Sequence, residues 1–136
     1  MERIYNGIAR PAYTPDFITE LKPDEVFVFG SNLAGMHGGG AAYAAWRKFG
    51  AVMGQGVGMQ GQSYAIPTMQ GGVETIEPYV NEFIAYTQAH PELFFFVTRI
   101  GCGIAGFLDA EIAPLFAAAV GLSNVCLPET FIKEIQ

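Results

Sequence analysis

Two glycine-dense segments, each directly behind an apolar run, hold the residues best suited to chemistry. The first is Gly30-Ser31-Asn32 with the turn His37-Gly38-Gly39-Gly40, and the second is Gly101-Cys102-Gly103-Ile104-Ala105-Gly106-Phe107. A turn without Cβ atoms lets main-chain N–H groups approach a ligand closely. Where a helix begins just beyond, its dipole and unpaired N–H groups make an anion site. Two such turns in 136 residues suggest a nucleotide with two phosphates. Neither is a P-loop, for no Gly-Lys-Ser/Thr ending follows. The glycine spacing is not Gly-x-Gly-x-x-Gly ahead of a ribose-binding acid either.

Four polar residues near these turns can do more than bind, and each has a plainer alternative. Asn32 can orient a water or a ribose hydroxyl, because its amide both donates and accepts, or it can simply hold a turn. His37 can shuttle a proton near neutral pH or be a solvated surface residue. Asp109 can activate water, but helix capping is the reading taken. Cys102 precedes a helix, where a thiolate can be stabilised; the reading taken is a small apolar filler between glycine turns. With only two histidines, His37 and His90, far apart in the chain, no metal-ligand spacing is visible and no cofactor is expected.

The elements that must position these residues follow from periodicity. Residues 25–29 and 93–98 read as buried parallel strands, 63–66 as a short strand ended by Pro67, and 125–127 as a final strand. A helix starting near Gly39 places Ala42, Ala45, Trp46 and Phe49 on one face and is capped by Gly50. Thr75 is expected to cap a second helix whose inner face carries Ile76, Tyr79, Val80, Phe83 and Ile84, with Glu82 opposite and His90-Pro91 at its end. Asp109 opens a third with Ile112, Leu115, Phe116, Ala119 and Val120 inward; Pro114 makes it irregular, and Gly121 ends it. A helix from Thr14-Pro15 through Phe17, Ile18 and Leu21 and a short one over 129–136 are also expected. The stretch to Ala12 is too irregular to assign, and residues 51–62 read as an exposed or ligand-facing loop.

Strands alternating with helices predict an α/β fold with a mostly parallel central sheet between helical layers. Ligands of such folds sit at the carboxyl ends of the strands, where both glycine turns lie. The length fits one domain over 1–136, with a core over about 25–127. A content of 51% hydrophobic and 15% charged residues supplies a sizeable core and argues against disorder. The formal charge of −6 disfavours non-specific nucleic-acid binding, so an anionic ligand must be held by local dipoles. No run is long enough to span a membrane, and the opening Met1-Glu2-Arg3-Ile4 has no signal-peptide pattern, so a cytoplasmic location is expected. Cys102 and Cys126 are accordingly expected as free thiols. Oligomeric state is left open, a homo-oligomer included.

At its two turns the chain resembles the macrodomains, the ADP-ribose-binding α/β superfamily. Asn32, His37-Gly38-Gly39-Gly40-Ala41-Ala42 and the helix ending Phe49-Gly50-Ala51 are similar to the family's asparagine, glycine-rich turn and following helix. Ser63-Tyr64-Ala65-Ile66-Pro67-Thr68 is similar to its next core strand, and the Arg99 to Gly106 run resembles the phosphate loop of the subgroup that releases ADP-ribose from glutamate esters. The resemblance covers about residues 25–127. It implies a three-layer α/β/α macrodomain-like fold and an ADP-ribose-shaped cleft. Gly101 to Phe107 would cradle the diphosphate, Asn32 and Gly38 to Gly40 would border the distal ribose, and Gly30 and Ser31 would also touch the ligand. Asp16 is a counterpart of the aspartate that macrodomains often set against adenine, although a plain helix residue fits equally well.

The glutamate-releasing subgroup has an aspartate where this chain has Ala105, and no lysine between Gln62 and Gln70 matches its other catalytic group. Binding of ADP-ribose or a related NAD-derived nucleotide is therefore the expected function. The alternatives are a hydrolase of ADP-ribosyl linkages, with water oriented by Asn32 and the ligand's own phosphate and His37 assisting, and a structural protein that kept the fold and lost the ligand.

Overall fold

A computed structural model describes residues 2–136. Its central sheet has five strands: β3 (Glu25–Ser31), β4 (Gly58–Gln60), β5 (Ser63–Pro67), β6 (Phe94–Val97) and β7 (Val125–Cys126). They lie in the order β4-β5-β3-β6-β7; only the edge strand β4 runs antiparallel. The apolar runs are continuous because both faces of the sheet are covered. Val26 and Val28 of β3 with Phe95 and Val97 of β6 enter one core. Phe27 and Phe29, and separately Phe94 and Phe96, enter cores on the opposite face.

The first core is closed by helices α2 (Glu77–Ala89), α3 (Asp109–Ile112) and α4 (Glu129–Ile135), through Val80, Phe83, Ile84, Ile112 and Phe131 among others. The opposite face is covered by α1 (Gly40–Lys48), which contributes Ala42 and Ala45, and by the segment carrying Ile18 and Leu21. The expected α/β architecture with a mostly parallel sheet is therefore present. The second outer layer is part helix and part irregular chain.

The N-terminal residues form a hairpin, β1 (Glu2–Tyr5) with β2 (Ile8–Pro11). Asn6 and Gly7 both have positive φ, 51° and 74°, as the tightest two-residue turn requires. Tyr5 packs on Phe94, and the Arg10 guanidinium stands 4.9 Å from the same ring. Arg10 has no solvent-exposed side-chain surface. It donates to Asp24 (2.7 and 3.0 Å), Glu25 (3.1 Å) and the Tyr5 carbonyl (3.1 Å). Two carboxylates at the entrance to β3 thus hold the hairpin to the sheet.

Both sheet edges have their outward carbonyls occupied. On β7 the Arg3 guanidinium donates to Val125 O (2.9 Å), and the Thr14 N–H donates to Leu127 O (3.0 Å) just beyond. At β4 the Gln55 amide donates to Met59 O (3.1 Å) and, just before the strand, to Val57 O (3.2 Å).

Several local expectations are corrected. No helix forms over 14–21: Thr14 spends its N–H and hydroxyl on Leu127 O and Cys126 O, and Phe17 is exposed. Trp46 is turned outward against Tyr43 and Arg47, leaving Ala42 and Ala45 as the buried face of α1. Thr75 ends a 3-10 turn and donates to Gly72 O, so it does not cap α2. The helix through Pro114 has one α turn and then continues as a 3-10 helix over Ala113–Ala119, which leaves Val120 exposed. Pro114 has no N–H to give an α-helical ladder.

Candidate active cleft at the carboxyl ends of the strands

Chain connectivity diverges after β3 and β6. From β3 it passes through α1 to β5 on one side, while β6 leads through α3 to β7 on the other. Crevices in parallel sheets open where strand order reverses in this way. A cleft of about 230 Å³ lies there, bordered by Gly30, Ser31, Asn32, Gly39 to Ala42, Thr68, Thr98 to Gly101 and Gly103 to Ala105. The two glycine segments, predicted separately, meet in it. A Cβ on Gly30 would stand 3.4 Å from Gly101 N, and one on Gly39 would stand 3.2 Å from Ile104 Cδ1. Ile104, largely exposed, lies across the gap between them.

Unpaired main-chain amides are the main donors on an otherwise largely apolar surface. Gly40, Ala41 and Ala42 form the first turn of α1, whose N–H groups have no intrahelical acceptor, and no side chain caps them. Among the described residues, no protein acceptor takes the N–H of Gly103, Ile104 or Ala105. The second turn is shaped by Gly101 at φ +78°, whose carbonyl receives the Phe107 N–H (2.8 Å). A side chain there would also press on Ile112, only 3.1 Å from the Cβ position.

The side chains in the cleft are mostly committed. Asn32 closes its own loop, donating to Met36 O (3.1 Å) and accepting from Met36 N–H (2.9 Å). Ser31 donates to Gly56 O, Thr68 lies against Ser31 O, and Thr98 donates to Val28 O. Arg99 is the one charged side chain on the wall. Asp109 grips it at Nε and Nη2, both at 3.0 Å, which favours its charged form and holds the Asp109 carboxyl below its ordinary range. Asp109 is therefore an ion-pair partner and the first helical residue; the expected cap role falls to Glu111, which accepts the Leu108 N–H.

His37 is not in the cleft. It is completely buried, edge-on to Phe29, with Nε2 3.2 Å from Gln60 Oε1. Gln60 Oε1 also accepts the Val52 N–H (2.8 Å), so it is an acceptor, and His37 Nε2 is the protonated nitrogen. Among the described residues His37 Nδ1 has no partner. Both sequence readings of His37, proton shuttle and solvated residue, give way to a structural one. Gln60, which sequence reasoning missed, organises the loop through His37, Val52, Gln55 and Gly58.

Residues 51–62 do not face the cleft either. A Cβ on Gly56 would stand 2.1 Å from Asn32 O, so glycine is there to let this segment lie against the first turn. Gly38, Cys102, Gly106 and Phe107 also stay off the cleft wall. Phe107 packs against the larger core.

Cys102 donates to Asp109 Oδ1 (3.3 Å), and its thiol is pushed up to about 12, first by burial and then by that bond. Burial likewise pushes Cys126 up to about 11. Both are free thiols, so the native protein should resist iodoacetamide at about pH 8 and react only after unfolding, because the thiolate is the nucleophile. Rapid native labelling, read by mass spectrometry, would contradict the assignment.

The chain matches no family model, no curated protein and no solved structure. What the cleft can do therefore rests on its own chemistry. None of the lining residues is Asp, Glu, His, Lys, Cys or Tyr, which leaves the wall without a general acid or base near neutral pH. Among the described residues no cluster of His, Cys, Asp and Glu can hold a metal, and no helix is long and apolar enough to cross a membrane. Beside the cleft, sharing Arg99 with it, lies a broader hollow of about 520 Å³ formed by Pro11, Tyr13 to Asp16 and Pro128 to Thr130.

Proposed function

We propose that this protein is a macrodomain-like module that binds ADP-ribose or a related NAD-derived nucleotide. The observation that carries the reading is the convergence of two glycine turns, with unpaired amides on both, at the switch point of the sheet. The diphosphate lies between Gly101–Ala105 and the first turn of α1. The distal ribose borders Asn32. The nucleoside extends past Arg99 into the neighbouring hollow, where Asp16 supplies an acceptor. The lack of a general acid or base on the wall favours binding over hydrolysis.

Titration calorimetry should give a micromolar dissociation constant for ADP-ribose, about −8 kcal/mol. AMP should bind more weakly, because it has one phosphate for two amide clusters. Absence of heat with every nucleotide, together with an unchanged melting temperature, would remove the reading. Release of ADP-ribose from a modified protein, lost in Asn32→Ala while binding remains, would replace it with the hydrolase.

A further inference from the structure

The geometry points to a charge rule for this cleft: it accepts phosphates that bear one negative charge each, as in an internal diphosphate, and discriminates against a terminal phosphate bearing two. The inference rests on the nucleotide-binding reading above and concerns which phosphates that site admits. The donors around the cleft are neutral amides from two elements, the turn at Gly103 to Ala105 and the start of α1. A helix start offers only about half an elementary charge.

The single cation on the wall is already compensated. Asp109 holds the Arg99 guanidinium through two 3.0 Å bonds, and Asp16 is a second carboxylate acting on it. Glu111 lies close enough to act on Cys102 in the same group. The ionic surroundings of Arg99 are thus negative, within a chain of formal charge −6. A second charge on a bound phosphate meets only this shared cation.

Among the described residues, no other element bordering the cleft supplies a cation. The first turn of α1 has no acidic residue, and its basic residues Arg47 and Lys48 are in its last turn, at the far end from the amides. Thr68 and Met69, which complete the wall, are neutral. Neither histidine of the chain is on the cleft wall: His37 is buried on Phe29 and Gln60, and His90 pairs with Glu92 (2.9 Å) before β6 begins.

A terminal phosphate has its second pKa near 6, so about 1% is singly charged at pH 8 and about three-quarters at pH 5.5. The test is calorimetric titration of the full chain at both pH values with ADP-ribose, ADP and the terminal methyl ester of ADP. The ester keeps the diphosphate and removes the second terminal charge without adding a ribose. ADP is expected to bind at least about tenfold more weakly than the ester at pH 8 and to recover about that factor at pH 5.5. ADP-ribose and the ester should change by less than about twofold, which also controls for any effect of pH on the protein itself.

Equal affinity of ADP and its ester at pH 8 would overturn the charge rule while ADP-ribose binding kept the cleft assignment standing. The same gain for the ester at low pH would overturn it too, by tracing the effect to the protein. Failure of all three ligands at both pH values would remove the rule together with the reading beneath it.

Discussion

Gly103→Phe should weaken ADP-ribose binding by at least about a hundredfold, close to 3 kcal/mol, while moving the melting temperature by no more than about 2 °C. The two halves of that result have separate causes. A Cβ on Gly103 meets nothing within 4 Å, and the residue does not need the left-handed backbone, so a side chain starts into open space rather than against protein. That space borders the cleft between the amide turn and α1, where the diphosphate is proposed to lie. Neighbouring Gly101 does not offer so clean a test, because its backbone conformation and Ile112 both oppose a side chain. Retained affinity in a folded Gly103→Phe protein would show that the phosphates bind elsewhere. Gly103→Ala, which adds one methyl group, provides the folding control.

The largest expected loss of stability is at the other end of β3. Arg10→Met should cost about 3–5 kcal/mol, because it leaves the Asp24 and Glu25 carboxylates together without their shared cation. Urea unfolding would measure it, and a change under about 1 kcal/mol would mean the pair adds little. The pH dependence gives an independent check. Arg10 holds the Asp24 carboxyl below its ordinary value of 3.8. The contribution is complete above that value, where Asp24 is ionised in both states, and is lost as pH falls through the lower folded value. The stability gap between the protein and its Asp24→Asn variant should therefore close below about pH 4.

Much of the sheet was legible because its signal is local. Runs such as Val26-Phe27-Val28-Phe29 and Phe94-Phe95-Phe96-Val97 are apolar at every position, which only a strand covered on both faces tolerates. The glycine turns follow those runs directly, so their placement at one end of the sheet came with the strands. The cleft's occupant has no such local signal, because it is recognised by amides that carry no side-chain signature.

What escaped the sequence depends on distant partners. Arg10 is buried by carboxylates 14 and 15 positions later, and Thr14 is diverted from a helix by carbonyls at Cys126 and Leu127. The hairpin over residues 2–11 carries a local sign, Asn6-Gly7 between two short strands, in a stretch otherwise too irregular to assign. Of the glycines in 51–62, Gly54 and Gly61 are exposed, one of the two expectations, but Gly56 is buried for a different reason. Close approach of a ligand and close approach of another backbone make the same demand on composition, and here the visitor is the Asn32 carbonyl.

The occupied edges of the sheet bear on how this protein behaves when crowded. With Arg3 and Thr14 on one border and Gln55 on the other, an incoming extended segment finds outward carbonyls already engaged. Fibril growth by strand addition is thereby discouraged at both margins, and a companion molecule must instead meet the helices, the hairpin or the rim of the cleft.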